Sequence, residues 1–263
     1  MKIYDCFSYW DEDLLLELRL NILNEYVDYF VIVEGNKTWQ NNYKKLRFNI
    51  NNFQKFENKI IYIPVEDLPD GDNPYLRENF QRNAISRGFE KVEDDDLVII
   101  SDLDEIPNPE KIQSFKKSMK YAVFEQMHFY YKINLQSQFN PKWYGSRICI
   151  KKYLKSPQWL RSQKIKKYPF WKFNKIKWNI IKNGGWHFSY LMSPEEIKKK
   201  LASFAHSEYN NRKYTNLKKI EDSIKNKKDL FDRPILYEKN TFDKTFPDYV
   251  VNNKEKFKDW ILK

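Results

Sequence analysis

The sequence predicts an α/β domain built on a mixed, mainly parallel sheet with helices on both faces. Short apolar runs recur at residues 3–7, 27–34, 59–65 and 96–100, helical spacing fills two of the intervals between them, and the later runs have no solvent-facing alternation. Strands of that kind, alternating with helices, are buried on both faces and connect by crossovers, as in parallel sheets.

The first strand, 3–7, is short and apolar. Asp11 or Asp13 then begins a helix that places Leu14, Leu15, Leu18 and Ile22 on one face. Residues 27–34 (VDYFVIVE) form the second strand, which ends at Gly35, where a chain leaving a sheet needs conformational freedom. A third buried strand follows at 59–65. An acidic loop leads to a helix capped by Asn73 and opened by Pro74, with Leu76, Phe80 and Ala84 toward the core, Glu78 and Arg82 on another face, and Gly88 as its stop. Residues 96–100 (DLVII) form the strand that runs directly into Ser101-Asp102-Leu103-Asp104-Glu105. Ligands of such sheets bind beyond the carboxyl ends of the strands.

Beyond Pro109 a short helix, two strand-like runs (KYAVFEQM and FYYKINLQ), and a basic, aromatic stretch follow. No Asp or Glu occurs from 126 to 194. NGGWHFSY closes this stretch, and Ser193-Pro194-Glu195 starts a helix reaching about Ala205. Basic helices and an amphipathic tail with Phe257, Trp260 and Ile261 complete the chain, with no internal repeat. One domain spanning 1–263 is expected.

The net charge of +11 is unevenly divided. Residues 1–110 hold 12 Lys/Arg against 23 Asp/Glu, and the remainder holds 35 against 13, so the halves carry −11 and +22. The two halves therefore face different partners. No run approaches the roughly 18 apolar residues of a membrane span, and the N-terminus shows no basic-then-apolar leader, so a cytoplasmic protein is expected. Cys6 and Cys149 lack metal or disulfide spacing and read as buried fillers.

Two carboxylates one residue apart at a strand end raise each other's pKa. A hard divalent cation relieves that conflict, and Mg²⁺ or Mn²⁺ takes one or two carboxylates together with substrate phosphates. Such a cation neutralises a departing diphosphate. On spacing alone an acidic loop at a strand end is the competing explanation. Arg82 and Asn83 carry donors suited to a nucleotide's phosphates or base, or form an exposed helix face in which Arg82 pairs with Glu78.

YDCF (4–7), VDYFVIVEGNKTW (27–39), RENFQRNAI (77–85), LVIISDLDEIP (97–107), NGGWHFSY (183–190) and KLASFAHSE (200–208), in that order, closely resemble glycosyltransferase family 17. The resemblance covers about residues 3–240. It implies a GT-A-type, Rossmann-like fold, UDP-GlcNAc as donor, Mn²⁺ or Mg²⁺ as cofactor, a saccharide acceptor and inversion at the anomeric carbon. By position it implies that Asp104 binds metal, that Asp102 binds metal or ribose, that Glu34 belongs to the donor pocket, and that Arg82 and Asn83 hold the nucleotide. Residues 1–110 would then be the nucleotide-sugar half and 111–263 the acceptor half.

His187, after a glycine pair, either completes a metal shell or is a buried structural histidine, and Trp186 either stacks on a sugar ring or fills the core. Inverting transfer needs a carboxylate base at the acceptor hydroxyl, for which Glu105 and Glu208 are the candidates. Glu105 alternatively supports the metal's ligands, and Glu208 alternatively lies at the surface. The absence of a cysteine-rich, anchored context points to a polysaccharide or lipid-linked oligosaccharide as acceptor. Between 151 and 182, eleven Lys/Arg interleave with Trp159, Trp171 and Trp178. That composition reads as a solvated basic surface, as peripheral contact with an anionic membrane, or as an acceptor platform. A nucleic-acid-binding module would share it but would leave SDLDEIP and GGWHFSY unexplained, so no nucleic acid is expected as a partner.

Overall fold

The structure is a computed structural model describing residues 1–166, 169, 171, 175–203 and 211–262. Four parallel strands form its first half: β1 (Ile3–Ser8), β2 (Tyr29–Gly35), β3 (Ile60–Val65) and β4 (Leu97–Asp102). β5 (Glu105–Pro107), β6 (Tyr121–Tyr130), β7 (Leu135–Ser137), β8 (Lys142–Ile150), β9 (Asn179–Ile181), β10 (Gly185–Ser189) and β11 (Tyr237–Lys239) extend the sheet. The strand order is β11-β7-β6-β8-β4-β1-β2-β3, with β9 and β10 also paired to β6 and β5 paired to β10.

β1 lies between β2 and β4, parallel to both, and β3 lies outside β2. The chain therefore reverses its direction of progress across the sheet at the β1/β4 boundary, and the crevice at such a boundary is where open α/β sheets bind ligands. Beyond β4 the pairing is mixed. β8 runs antiparallel to both β4 and β6, whereas β9 and β10 run parallel to β6.

The helices are α1 (Asp13–Leu23), α2 (Pro74–Ala84), α3 (Pro109–Ile112), α4 (Pro157–Ser162), α5 (Pro194–Ser203), α6 (Leu217–Lys225) and α7 (Asp248–Asn252). Strand alternation sends Phe7, Ile32 and Ile99 toward α1 and α7, and Tyr4, Cys6, Val31, Val98 and Ile100 toward α2 and α4. The two faces form separate apolar clusters, which is why these strands read as continuously hydrophobic. A third cluster gathers Tyr130, Leu135, Ile197, Leu201 and Ile220 beneath α5 and α6.

Cys6 and Cys149 are free and buried, as their spacing predicts. No helix among the described residues is long and apolar enough to cross a membrane. In the basic stretch, Trp159 and Trp178 pack partly buried against the α2-side cluster, while Trp171 is exposed.

Three expectations change. α2 buries Arg77, Gln81, Arg82 and Ala84, whereas Leu76 is 46% exposed. Arg77 explains the inversion, because its guanidinium reaches the carbonyls of Trp39, Pro69 and Gly71, so a polar helix face is buried against loop backbone. β8 falls where no strand is predicted, its pattern interrupted by Gly145. The run FYYKINLQ is not one strand: Tyr131, with φ of 60°, turns the chain between β6 and β7.

Candidate active site

Register places the site. Ser8 pairs with Asp102 across the β1/β4 boundary, so Tyr9 and Trp10 leave the sheet beside the aspartates. A cleft of about 160 Å³ opens there, lined by Tyr9, Trp10, Trp39, Arg82, Asp102, Asp104 and Lys200, among others. The first half supplies its acidic floor. Lys200 and Ser203, from α5, are the contribution of the second half among the described residues.

The turn carrying the aspartates is held from below. Arg19 on α1 donates through Nη1 to the carbonyls of Asp102 (3.0 Å), Leu103 (3.2 Å) and Glu105 (2.9 Å), and through Nη2 to Ser101 Oγ (2.5 Å). The same guanidinium pairs with buried Asp5 on β1. This satisfies carbonyls that a tight turn at a strand end would otherwise leave unpaired.

Both Asp102 oxygens are engaged: Oδ1 accepts from Arg82 Nη2 (3.1 Å) and Oδ2 from Arg161 Nη2 (2.7 Å). Burial pushes this carboxyl up, but the guanidiniums of Arg161 and Arg82 outweigh it and hold the pKa well below the usual carboxylate range. Arg161 also donates to Glu105 Oε1 (2.5 Å), and its own pKa is raised because these carboxylates outweigh its burial. Arg147, behind it, is pushed down to about 10 by burial and by Arg161.

Glu105 is wholly engaged. Its carboxylate accepts from Arg161, from Trp143 Nε1 (2.7 Å) and from the Asp102 amide (3.0 Å). That places it beneath the aspartate turn, supporting Asp102, rather than free to take a proton. Asp104 Oδ2 lies 3.5 Å from His187 Nε2, which is also 3.1 Å from Ser189 Oγ, and His187 Nδ1 is buried with no partner. Burial raises the Asp104 pKa, but His187 and Lys200 outweigh it and the carboxyl is held low.

The strand alternation of β10 separates its two candidates. His187 faces Asp104, whereas Trp186 faces the opposite side, donates from Nε1 to Thr245 O (2.9 Å), and lines a different depression of about 440 Å³. Glu34 also lies apart from the cleft. Buried, it accepts from Lys44 Nζ (2.5 Å), the amides of Arg47 and Phe48, and Tyr62 OH (3.0 Å), so it shapes the 44–48 loop. Asn83 is exposed, and its Oδ1 caps the Gln158 amide (3.0 Å), tying α2 to α4. Glu208 lies outside the described residues. Arg82, Asp102, Asp104, Glu105 and His187 are thus the predicted residues that come together, Glu105 as the support of Asp102.

Sequence reasoning missed Asp5, Arg19, Trp143, Arg161 and Lys200. Arg161 had a usable signal, since Ser156-Pro157 is a helix start, with Ser156 Oγ accepting from the Trp159 amide, and the following QWLR places the arginine one turn in. Nothing local marks Arg19 or Trp143 as a neighbour of Asp102 or Glu105.

As a cation site the arrangement offers two ligands of suitable chemistry, Oδ2 of Asp104 and, 3.5 Å from it, Nε2 of His187, which otherwise meets Ser189 Oγ. No group of three or more His, Cys, Asp or Glu forms a ready shell among the described residues. The residues therefore fit a cation that draws its remaining ligands from phosphate and water.

The chain matches β-1,4-mannosyl-glycoprotein 4-β-N-acetylglucosaminyltransferases of Rattus norvegicus and Homo sapiens, each at 24% identity over 227 residues, and of Mus musculus at 23% over 224. These alignments cover 74% of this chain and 41–42% of the relatives, so the chain spans about two fifths of their length. The family match is far more extensive, running from residue 1 to residue 259 and taking in the aspartate turn, the arginines that hold it and the histidine strand, and by it this chain belongs to glycosyltransferase family 17.

Proposed function

We propose that this chain transfers N-acetylglucosamine from UDP-GlcNAc to a saccharide hydroxyl with inversion, on a GT-A-type fold, with Mn²⁺ or Mg²⁺ assisting. One observation carries the reading. At the β1/β4 switch point, Asp102 and Asp104 face one cleft with Arg82, whose Nε is buried without a partner, and with Lys200. Buried guanidinium donors and an ammonium beside paired carboxylates suit a phosphate-rich ligand whose charge a cation shares.

In this mechanism Arg82 and Lys200 hold the diphosphate and Arg161 fixes Asp102 between two guanidiniums. Asp104 and His187 would hold the cation, which would supply positive charge to offset that on the departing diphosphate. Trp10 and Trp39, both partly exposed, line the cleft and offer ring faces for the base or ribose. Glu105 positions Asp102, which leaves Glu208 as the base candidate. The relatives' name, 4-β-N-acetylglucosaminyltransferase acting on a β-1,4-mannosyl glycoprotein, supports GlcNAc as the group transferred. The acceptor here is a saccharide, reached from the cytoplasm or from a membrane surface.

A thermal-shift panel of UDP-sugars with and without Mn²⁺ tests the reading. Stabilisation by UDP-GlcNAc that requires the metal is expected. A chain indifferent to every UDP-sugar in both conditions would rule it out.

A further inference from the structure

Trp143 is a large aromatic left 38% exposed, yet it is not loosely held. Its Nε1 donates to Glu105 Oε1, the carboxylate that also holds Arg161 and the Asp102 amide. Its ring centroid lies 4.7 Å from that of His187 and 5.5 Å from that of His128, and the two imidazoles stack 4.7 Å apart at 11°. Gly145, two residues on, brings the backbone close: a Cβ there would lie 2.7 Å from Trp143 Cδ1 and 2.5 Å from Glu105 Cδ.

His187 therefore stands between two surfaces. On one side it meets Asp104, which lines the cleft. On the other it meets the indole, which does not line it. An exposed indole locked by a hydrogen bond at its edge loses little freedom when a ligand stacks on it, and its apolar body with a polar tip suits the C–H face of a pyranose ring. A nucleotide would seek the arginines and Lys200. Around Trp143 the partners are imidazoles and an already paired carboxylate, which suits a neutral, hydroxyl-rich ligand.

We infer that Trp143 is the platform on which the acceptor sugar stacks, across the Asp104–His187 pair from the donor cleft. This rests on the function proposed above and assigns the acceptor side of the same site. The acceptor hydroxyl then approaches the reaction centre over His187, and the donor from the Arg82 side.

The test uses the full chain, Trp143→Ala and Trp143→Phe, with UDP-GlcNAc as donor and p-nitrophenyl β-mannoside as the acceptor probe. UDP affinity with Mn²⁺ is measured by calorimetry. Trp143→Ala should raise the acceptor KM roughly tenfold or more while UDP affinity stays within about twofold. Trp143→Phe, which keeps a ring but loses the bond to Glu105, should keep the acceptor KM within about threefold. An unchanged acceptor KM in Trp143→Ala, or a UDP affinity that weakens in step with it, overturns the platform. Saturation transfer from protein to methyl β-mannoside, recorded without nucleotide, is expected in wild type and not in Trp143→Ala, and equal transfer in both overturns it too. A wild-type chain that binds no UDP removes the donor reading instead, and the nucleotide-free arm still decides Trp143.

Discussion

Arg19 and Asp5 form an ion pair from which water is wholly excluded, Nη2 to Oδ1 2.6 Å and Nε to Oδ2 2.7 Å, both side chains at zero exposure. A buried pair of this kind does not by itself add much stability, because desolvation opposes the attraction. Its consequence is positional. The remaining guanidinium donors are aimed at the carbonyls of Asp102, Leu103 and Glu105, so the conformation of the aspartate turn is fixed from the core.

Arg19→Met should therefore be costly twice over. It strands Asp5 as an unpaired buried carboxylate, which costs about 3–5 kcal/mol, and it releases the turn. Chemical denaturation should show that loss, and UDP binding should weaken even where the variant remains folded. An Asp5→Asn/Arg19→Met double variant should recover part of the stability but not the binding. Recovery of both would mean that the turn holds its shape without Arg19.

Asp104 contributes differently. Its backbone carbonyl accepts from the Phe188 amide, a bond that any side chain preserves, and its carboxylate faces the cleft rather than the core. Asp104→Ala should keep a melting temperature close to wild type while the transfer rate falls by two orders of magnitude or more, on the order of 3 kcal/mol of transition-state stabilisation. Steady-state turnover beside a thermal melt measures both. Undiminished turnover would remove Asp104 from the reaction.

Arg161 bridges Asp102 and Glu105 with one nitrogen and reaches the Gly145 carbonyl with another (2.6 Å). Lysine cannot reproduce that fork. With Arg161→Lys, UDP affinity should fall roughly tenfold, worth about 1.4 kcal/mol. The pH dependence of stability should change in a defined direction. Because the folded pKa of Asp102 is depressed, its contribution is present above the unfolded value near 3.9 and is lost as pH falls through the folded value. Replacing Arg161 raises the folded pKa, so the stability gap between wild type and variant should be full at neutral pH and narrow below about pH 4. A gap independent of pH would show that Arg161 acts through packing alone.

Gly145 tests how tightly the site is built. A Cβ there would sit 2.5 Å from both Gln126 Oε1 and Glu105 Cδ, and 2.7 Å from Trp143 Cδ1, in an environment where every neighbour is hydrogen-bonded. Gly145→Ala must displace Glu105 or Gln126, and a destabilisation of about 1–3 kcal/mol is expected from overpacking. Transfer should fall further than stability, since Glu105 carries both Arg161 and the Asp102 amide. An alanine variant with wild-type activity would show that Glu105 has room to move.

The sequence carried the parallel half of the fold because β1 to β4 are mostly apolar runs punctuated by turn or cap residues, although β3, expected as a buried strand, lies at the sheet edge with all but Val65 at least partly exposed. It also marked the aspartate turn, since Asp102 and Asp104 follow a buried strand directly. Beyond β4 the signal weakened for a physical reason: β8 carries exposed Trp143 and Tyr144, then Gly145, then buried Arg147, so neither alternation nor a continuous apolar run survives. α2 misled in a similar way, because Arg77 and Gln81 are buried by hydrogen bonds to loop backbone and strand carbonyls that no hydropathy pattern registers. For Glu34, Asn83 and Trp186, position in a motif did not reveal which way the side chain turned. Their partners, the 44–48 loop, Gln158 and Thr245, are distant in the chain or created by tertiary packing.

Cys149 provides a prediction remote from the cleft. It lies on β8 against the α2-side cluster, and burial pushes its thiol up to about 12. In the unfolded chain a cysteine titrates near 8.5, so the unfolded state loses this proton first as pH rises. The thiol's contribution is therefore fully present below the unfolded value and is lost between it and about pH 12, with a slope of at most about 1.4 kcal/mol per pH unit. Cys149→Ala should start lower by the cost of a small cavity and should lose stability less steeply than wild type between about pH 9 and pH 11. In the same range the native thiol should react slowly with iodoacetamide and become reactive on unfolding, because only the thiolate attacks. Parallel stability curves for the two proteins would mean that Cys149 titrates in the fold as it does in the open chain.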